Sequence, residues 1–293
     1  MTIIPLVSVI VPCYNSGDTL FRTIDSVLKQ TWKNIELIIV NDGSTDRSTV
    51  ELLDSFSHKP NITVHSQINK GLASARNSGI RLSKGDYILP LDSDDWLDAD
   101  AIKIMLETCK QGDSSSIVFS DIKLEGARKG IKKTHCNPFE QLFSNQLPYS
   151  LLLPIEVINK INGYDEDLIN GLEDWDLNIR LLLNKKNFLK TDKPIFHYWV
   201  NTKGMFQAVT SKKFGYIFGH IREKYSETYK ITNLLKTMKY SRKISSNRML
   251  LVYLIQNFIY SIFPKKLYNF VYYFLIKINQ RFRLQLRFEL NGK

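Results

Sequence analysis

The sequence predicts an α/β fold in which helices flank a mainly parallel sheet, followed by a basic and aromatic helical extension. Over the first hundred residues, short apolar runs rich in β-branched residues alternate with stretches of helical periodicity, which is typical of βαβ units. Polar residues follow directly after each apolar run. With 43% hydrophobic and 24% charged residues, the 293-residue composition excludes a disordered or fibrous protein.

Strands and crossover helices alternate along the first part of the chain. The predicted strands are Val7–Val11, Ile35–Val40, Ile62–His65 and Tyr87–Leu91. Apolar residues at helical spacing predict helices over Asp18–Lys29 and Ala73–Ser83. Because ligands of such sheets bind beyond the carboxyl ends of the strands, the residues after each strand are the first candidates for a site.

The second part of the chain predicts fewer regular elements. Asp98 is expected to cap a helix over Ala101–Lys110, and the segment Gly126–Asn137 is expected to be an irregular basic loop. Apolar runs and helical spacing further predict a strand at Ser116–Ser120, a helix at Glu173–Leu183 and a strand at Pro194–Trp199.

Charge is unevenly distributed along the chain. Residues 222–293 hold 15 Lys and Arg against three Asp and Glu, whereas residues 1–221 hold 25 against 26. We therefore expect a near-neutral domain over residues 1–215 and a basic helical domain over residues 216–293. The cysteines Cys13, Cys109 and Cys136 form no CxxC pair, which argues against a zinc site or disulfide framework and favours a reducing cytosol. No signal peptide is expected at the N-terminus.

Three polar segments after predicted strands are candidates for binding a nucleotide. Pro12 and Tyr14 lie in an extended turn that can offer backbone groups to a base, although a plain strand terminator explains them too. Asp42 can accept a hydrogen bond from a base or a ribose hydroxyl, or can serve in a turn and cap. Arg76, near the start of a helix, favours an anion such as a diphosphate, or is a solvated helix residue.

The most specific segment is Leu-Asp-Ser-Asp-Asp-Trp, directly after the fourth strand. Asp92, Asp94 and Asp95 repel one another unless a cation is present, and Mg²⁺ or Mn²⁺ held by carboxylates and substrate phosphates is the natural partner. An EF-hand is excluded, because Leu97 and Lys103 stand where its glycine and bidentate glutamate belong. A solvated acidic turn is the alternative.

A second acidic segment begins the predicted helix at Glu173. Carboxylates in a first helical turn often only complement the helix dipole. A carboxylate there could instead act as a general base that accepts the proton of a hydroxyl substrate, and Asp174 is the candidate for this base. Trp175 could stack on an acceptor sugar, or belong to the core or its rim.

Five motifs in series resemble the GT-A inverting glycosyltransferases of family two, over roughly residues 5–210. They are Val-Ser-Val-Ile-Val-Pro-Cys-Tyr-Asn, Val-Asn-Asp-Gly-Ser-Thr-Asp, Gly-Leu-Ala-Ser-Ala-Arg-Asn-Ser-Gly, Leu-Asp-Ser-Asp-Asp and Leu-Glu-Asp-Trp. The resemblance implies a metal-dependent transfer of a sugar from a nucleotide-sugar, with UDP expected, to a hydroxyl acceptor. Two departures stand out, since Ser16 replaces the glutamate of many relatives and Val200 replaces an arginine.

The resemblance also implies a role for each matching residue. Asp174 would be the catalytic base, and Glu173, Trp175 and Asp95 would contact the acceptor or support the site. A metal would be bound by Asp94, with His197 as a further ligand. The nucleotide-sugar would be bound by Pro12, Tyr14, Asp42, Arg76, Asp92 and Ser93.

The basic extension predicts association with an anionic membrane surface. Met249–Phe263 is apolar but too short for a comfortable membrane span. Leu267–Ile278 has the pattern of an interfacial helix. Lys265, Lys266, Arg281, Arg283 and Arg287 would lie among anionic headgroups. Packing on the body or homo-oligomerisation is the alternative, and the aromatic content argues against nucleic acid.

These features together predict a peripheral protein on the inner face of the cell membrane, acting on a lipid-linked or surface-polysaccharide acceptor such as O-antigen, capsule or lipopolysaccharide. A processive polysaccharide synthase is one alternative, although Gln280-Arg281-Phe282 lacks the tryptophan of its Gln-x-x-Arg-Trp motif. A non-catalytic assembly protein on the same scaffold is the other.

Overall fold

The computed structural model describes residues 4–169, 171–202, 211–241, 247–264, 267–268 and 270–271. Contacts divide the chain into two compact units. The first unit comprises Met1–Thr134, Leu147–Ile169 and Arg180–Thr202. The second comprises His135–Gln146, Asn170–Ile179 and Lys203–Lys293. Each unit is made of three separate segments. The expected domains are instead continuous, with one boundary after residue 215, and that boundary stays a prediction.

Short strands and helices alternate along the chain. The strands are β1 (Val7–Cys13), β2 (Ile35–Asn41), β3 (Ile62–Ser66), β4 (Tyr87–Pro90), β5 (Trp96–Leu97), β6 (Ile117–Phe119), β7 (Ile122–Gly126), β8 (Gly130–Lys132), β9 (Leu153–Pro154), β10 (Phe188–Lys190) and β11 (Phe196–Val200). The helices are α1 (Gly17–Leu28), α2 (Arg47–Phe56), α3 (Leu72–Leu82), α4 (Ala101–Cys109), α5 (Pro138–Gln141), α6 (Ile155–Lys160), α7 (Glu173–Leu183), α8 (Ser211–Lys224), α9 (Ile231–Tyr240) and α10 (Asn247–Ile262).

The first unit is built on a five-stranded sheet with the order β3-β2-β1-β4-β9. β1 to β4 run parallel and β9 pairs antiparallel with β4, which confirms the predicted mainly parallel sheet. β1 is buried along its whole length, because helices cover both of its faces. One of them, α3, lies so close that a Cβ on Gly79 would be 2.3 Å from Cγ2 of Ile10.

Two smaller sheets complete the first unit. β6 pairs with β10, and the order of the other sheet is β5-β11-β7-β8. The expected irregular loop over Gly126–Asn137 is wrong in part, since β8 pairs with β7 in an antiparallel hairpin, while residues 133–137 are irregular as expected. The expected cap at Asp98 is also wrong. Asp100 precedes α4 without a side-chain cap, while the Asp98 carboxylate binds Lys123 and His197.

The second unit is helical and has an aromatic core. Trp175 stacks on Phe218 with the ring centroids 5.3 Å apart, and Phe143 stacks on Tyr253 at 4.9 Å. The apolar segment expected at Met249–Phe263 forms α10. None of the helices in the described segments combines the length and hydropathy needed to cross a membrane. The expected headgroup contacts Lys265, Lys266, Arg281, Arg283 and Arg287 lie outside the described residues.

Candidate active site

The polar segments that follow β1, β2 and β4 come together at one edge of the main sheet. β2 and β3 lie on one side of β1, and β4 lies on the other, so the order in which strands are added to the sheet reverses at β1. This reversal of strand order creates a crevice beyond the strand ends, where doubly wound sheets bind ligands. Ser93 Oγ donates a hydrogen bond of 2.8 Å to Ser16 Oγ, so the segments after β4 and β1 are in contact.

The turn after β1 exposes one aromatic ring to solvent. Pro12 lies inside β1, opposite Val40, so the strand is longer than predicted. Tyr14 is 51% exposed and free to stack on a planar group. Asn15 has φ +49° and its Oδ1 accepts from the amides of Thr45 and Asp46, at 2.8 and 3.1 Å. Asn15 thereby holds the turn after β1 against the turn after β2.

Asp42 at the end of β2 is only 4% exposed and binds the loop that leads into α3. Its Oδ1 accepts from Gln67 Nε2 at 2.8 Å and from the Lys70 amide at 2.9 Å. Its Oδ2 accepts from the Gly71 amide at 2.8 Å. The sequence left two roles open for Asp42, a nucleotide contact and a turn-and-cap role, and these hydrogen bonds correspond to the second. A nucleotide contact by Asp42 stays a prediction.

Arg76 and Asp92 form a buried ion pair between α3 and the acidic segment. Arg76 is 1% exposed, so the alternative of a solvated helix residue is wrong. Its Nη2 donates to Asp92 Oδ1 at 2.6 Å. Charge-assisted pairs of this length are strong and directional, so Arg76 fixes the position of Asp92. Its predicted approach to a diphosphate stays a prediction.

Tyr149 is a site residue that the sequence reasoning missed. Its hydroxyl accepts from the Asp92 amide at 2.9 Å and donates to Asp95 Oδ2 at 2.5 Å. The centre of its ring is 5.0 Å from the Arg76 guanidinium carbon. One partly buried side chain thus links three members of the cluster. A tyrosine in Leu-Pro-Tyr-Ser carries no motif, which is why sequence alone could not reveal it.

Asp94 is partly exposed, as Asp92 is, whereas Asp95 is buried. Within the described segments, the Asp94 carboxylate makes no hydrogen bond to another residue. Burial, reinforced by the negative charge of Asp92, raises the pKa of Asp94 to about 6. Its backbone carbonyl accepts from Arg22 Nη2 at 2.9 Å, which holds the segment from the side of α1. An unneutralised carboxylate at this position favours a cation.

Both carboxylate oxygens of Asp95 accept hydrogen bonds from other groups of the protein. Asp95 is 0% exposed, and burial, with the charges of Asp94 and Asp92, raises its pKa well above the ordinary value. Its Oδ1 accepts from the Trp199 amide at 2.7 Å, while its Oδ2 accepts from Tyr149. Of the two roles implied for Asp95, these contacts favour support of the site over contact with an acceptor.

The donor set suits a hard divalent cation. Mg²⁺ is commonly held by one or two carboxylates and completed by substrate phosphates and water. Asp94 and Asp92 provide such a pair. No cluster of three or more acidic, histidine or cysteine ligands occurs in the part of the chain that the structure describes. Asp94 and Asp92 therefore fit a cation that is shared with a substrate, and its presence stays a prediction.

His197 has other partners than the predicted metal. Its ring nitrogens contact Asp98 at 2.8 Å and Glu125 at 3.3 Å, and its ring stacks on Trp96 with centroids 4.9 Å apart. Burial disfavours ionisation of Asp98, but hydrogen bonds from Lys123 and His197 prevail and lower its pKa. These contacts give His197 a structural role between β11 and β5.

Asp174 lies in the first turn of α7, in the second unit. It is half-buried, whereas its helix neighbours Glu173 and Trp175 are buried. Asp174 Oδ2 accepts from Asn145 Nδ2 at 2.8 Å. The Asn145 Oδ1 accepts in turn from Asn178 Nδ2 at 3.1 Å, which fixes the amide orientation. A partly accessible, oriented carboxylate has the properties of a general base.

The predicted stacking of Trp175 on an acceptor sugar is wrong. Its side chain is 0% exposed and packs between aromatic rings of the second unit, and its Nε1 donates to the Gln141 carbonyl at 2.6 Å. Trp175 is the core tryptophan that the sequence reasoning favoured over a stacking role. Glu173 is 4% exposed, which leaves it a supporting role at most.

Relatives of known name share this part of the chain. Chondroitin synthase of Escherichia coli is 32% identical over 185 residues, which are 61% of this chain but 26% of that protein. Glycosyltransferase GlyG of Streptococcus pneumoniae is 42% identical over 115 residues, 39% of this chain and 38% of its own. The chain thus spans about a quarter to two fifths of these relatives.

Solved structures share the fold. S. aureus TarS in complex with UDP-GlcNAc has a TM-score of 0.64 at 20% identity, over 75% of this chain and 66% of that one. This likeness shows that the chain has a GT-A fold. The family model for glycosyl transferase family 2 matches residues 8–160, more than half of the sequence. With the acidic segment and its supporting residues inside that match, the chain belongs to glycosyl transferase family 2.

Proposed function

We propose that this protein transfers a sugar from a nucleotide-sugar to a hydroxyl group of an acceptor, with inversion at the anomeric carbon. One observation carries the proposal. Asp92 and Asp94 lie beyond the end of β4, next to the point where the strand order reverses. Contacts from Arg76, Tyr149 and Arg22 hold them there. Preorganised charges of this kind act on a substrate without reorganising during the reaction.

The donor in this proposal is a UDP-sugar. The exposed ring of Tyr14 offers a stacking surface for a base, and Asp42 and Pro12 are assigned to the nucleotide with it in this proposal. TarS, whose fold this chain shares, binds UDP-GlcNAc. A divalent cation held by Asp94 and Asp92 would supply positive charge to the diphosphate.

The chemistry assigned to the chain's own residues is a single displacement. The acceptor oxygen forms a bond to the anomeric carbon, while the bond from that carbon to the diphosphate oxygen breaks and the electron pair leaves with the diphosphate. Asp174 takes the proton of the acceptor hydroxyl, and Asn145 keeps its carboxylate oriented.

The acceptor class that we propose is a surface or capsular polysaccharide, or a lipid-linked precursor. Its support is the relative named chondroitin synthase and the basic composition of residues 222–293. In this proposal, residues 1–215 are the catalytic domain, and residues 216–293 associate with an anionic membrane at its inner face or form a homo-oligomer. Repeated transfer by a synthase is the second candidate, favoured by the same relative and distinguished by product length.

Donor consumption by the purified protein tests the proposal. We expect that a panel of UDP-, GDP- and dTDP-sugars with Mn²⁺ shows hydrolysis or transfer of a UDP-sugar. Replacing the base with Asp174→Asn should lower turnover at least about 100-fold. Asp54→Asn changes an exposed carboxylate on α2 and should leave turnover unchanged.

Preference for a GDP-sugar would contradict the donor assignment. Equal turnover in Asp174→Asn and the unaltered protein would contradict the proposed base. No turnover of any donor would favour the non-catalytic assembly protein.

A further inference from the structure

A second cavity of the molecule lies in the helical second unit, apart from the residues assigned to transfer. It has a volume of about 700 Å³ and is lined by residues of α8, α9 and α10 and of the segments next to them. This volume is within the range of small-molecule sites in proteins, roughly 300 to 1,000 Å³. Nothing in the proposed transfer uses this cavity.

Arg222 is a buried cation on the cavity wall. It is 7% exposed, and its Nε and Nη1 are fully buried without a hydrogen-bond partner in the described part of the chain. No ion pair or hydrogen bond joins its guanidinium to any described residue. The rings of Phe218, Tyr229 and Tyr260 surround its guanidinium carbon at 5.8, 4.3 and 5.4 Å.

A guanidinium in these surroundings is incompletely satisfied. Cation–π contacts with the rings offset part of the cost of removing it from water. The N–H donors on its buried Nε and Nη1 still lack acceptors among the described residues, and leaving buried donors without partners is energetically costly. An anion that enters the cavity would supply those acceptors.

Other polar groups on the cavity wall are also without partners among the described residues. Asn257 Oδ1 and the Tyr260 hydroxyl are buried and make no hydrogen bond there. Lys230 and Glu223 complete the charged lining, so together with Arg222 the wall has a net positive charge. This set is suited to an anion that also carries a hydroxyl group.

The rim of the cavity is apolar. Ile231, Phe258 and Phe263 line the cavity and are 53%, 65% and 37% exposed. Large exposed apolar side chains around a binding cavity favour a ligand with an apolar part. A simple ion would leave these side chains in water.

We propose that this cavity binds the phosphate headgroup of an anionic amphiphile, with Arg222 donating to the phosphate oxygens. The apolar chain of the ligand then lies against Phe258 and Phe263. This site is independent of the proposed transfer reaction. It differs from a general basic surface in that a buried, unpartnered cation selects the phosphate.

Vesicle binding and phosphate binding test the site in the full-length protein. We compare vesicles of phosphatidylglycerol and phosphatidylcholine by co-sedimentation in about 0.5 M NaCl, where exposed charges are strongly screened. Thermal unfolding with inorganic phosphate, against NaCl at equal ionic strength, measures the headgroup alone. Arg222→Met keeps the volume of the side chain, and Lys236→Met removes an exposed charge of the same unit as the control.

We expect the unaltered protein to bind phosphatidylglycerol vesicles and to be stabilised by phosphate. Arg222→Met should weaken vesicle binding about tenfold or more and abolish the phosphate effect, while Lys236→Met should change binding less than about threefold. Phe258→Ser, at an exposed rim position, should weaken vesicle binding and leave the phosphate effect intact. This variant keeps the test valid if Arg222→Met fails to fold.

Equal loss of binding in Arg222→Met and Lys236→Met would overturn the proposal in favour of a general basic surface. A phosphate effect without vesicle binding would overturn the assignment of an amphiphile. Vesicle binding that Phe258→Ser and Arg222→Met leave unchanged would overturn the site altogether.

Discussion

At the scale of single residues, the three carboxylates of the acidic segment have three different surroundings. Asp92 is paired with Arg76, Asp94 is half-exposed with a raised pKa, and Asp95 is fully buried. Only Asp94 retains a carboxylate free of side-chain partners within the described residues. The three carboxylates are therefore not equivalent metal ligands.

Tyr149 gives the first prediction at this scale. Tyr149→Phe removes the hydroxyl that accepts from the Asp92 amide and donates to Asp95, so the acidic segment loses its fixed position. We expect UDP affinity to fall about tenfold, since an unsatisfied buried group costs about 1 to 3 kcal/mol. Isothermal titration calorimetry with UDP and Mn²⁺ measures the change.

Tyr87→Phe is the matched control, because its hydroxyl contacts Cys109 at the opposite end of β4. Its UDP affinity should equal that of the unaltered protein. If Tyr149→Phe and Tyr87→Phe bind UDP equally well, Tyr149 does not position the donor site.

Asn145 gives the second prediction. Asn145→Ala removes one of the donors that orient the Asp174 carboxylate, another being the Trp175 amide, so the orientation of the proposed base becomes less fixed. We expect kcat to fall about tenfold, with the donor KM unchanged, because the donor residues are untouched. Asn184→Ala, at an exposed position in the same half of the sequence, is the control. A rise in donor KM at constant kcat would contradict this role.

Sequence reasoning identified the candidate site residues that belong to motifs. It missed those that hold the motif residues in place through tertiary hydrogen bonds. Asp92, Asp94 and Asp174 follow from spacing and chemistry. Tyr149 and Asn145 lie outside every motif and reach the site only through tertiary contacts. Trp175 shows why the sequence left two roles open, since a tryptophan beside an acidic pair has the same sequence pattern whether it stacks on a ligand or fills a core.

At the scale of secondary-structure elements, α3 connects two strand ends. The loop before it is tied to Asp42 after β2, and Arg76 within it is paired with Asp92 after β4. Gly79 allows the close approach of α3 to β1 that this arrangement needs. One helix thereby fixes the positions of the polar segments after β2 and β4.

Long periodic elements could be predicted from the sequence, and short ones could not. The strands from β1 to β4 and the helix α7 follow from runs of apolar residues with clear periodicity. β8 is three residues long and exposed throughout, so no hydrophobic pattern marks it. Short strands such as β5 and β9 exist only because neighbouring strands supply hydrogen-bond partners.

Asp121 gives a pH-dependent prediction at this scale. Burial opposes its ionisation, but hydrogen bonds from Lys190, the Thr134 amide and Lys133 prevail and lower the pKa of Asp121 to about 2. These contacts join β7 to β10 and to the segment after β8. Because the pKa is lowered on folding, the stabilisation is complete above about pH 4 and is lost as the pH falls toward 2.

Asp121→Asn should therefore lower the free energy of unfolding by about 1 to 3 kcal/mol at pH 7. The difference from the unaltered protein should shrink below about pH 4. Urea unfolding at pH 7, 5 and 3 measures both effects, with Asp192→Asn as an exposed control. A difference that stays constant from pH 7 to pH 3 would contradict the assigned ion pairs.

At the scale of the whole molecule, the residues with proposed roles are distributed over the two units. The residues proposed to bind the donor belong to the first unit, and the proposed base and the Arg222 cavity belong to the second. The excess of positive charge in residues 222–293 also belongs to the second unit.

The most direct test of the donor site is UDP binding measured by calorimetry in Mn²⁺ and in excess chelator. We expect the unaltered protein to bind UDP at least about tenfold more tightly in Mn²⁺, because the cation joins Asp94 and Asp92 to the diphosphate. Asp94→Asn should bind weakly in both conditions. Equal affinity for UDP in Mn²⁺ and in chelator, in both proteins, would contradict a metal-assisted donor site at this segment.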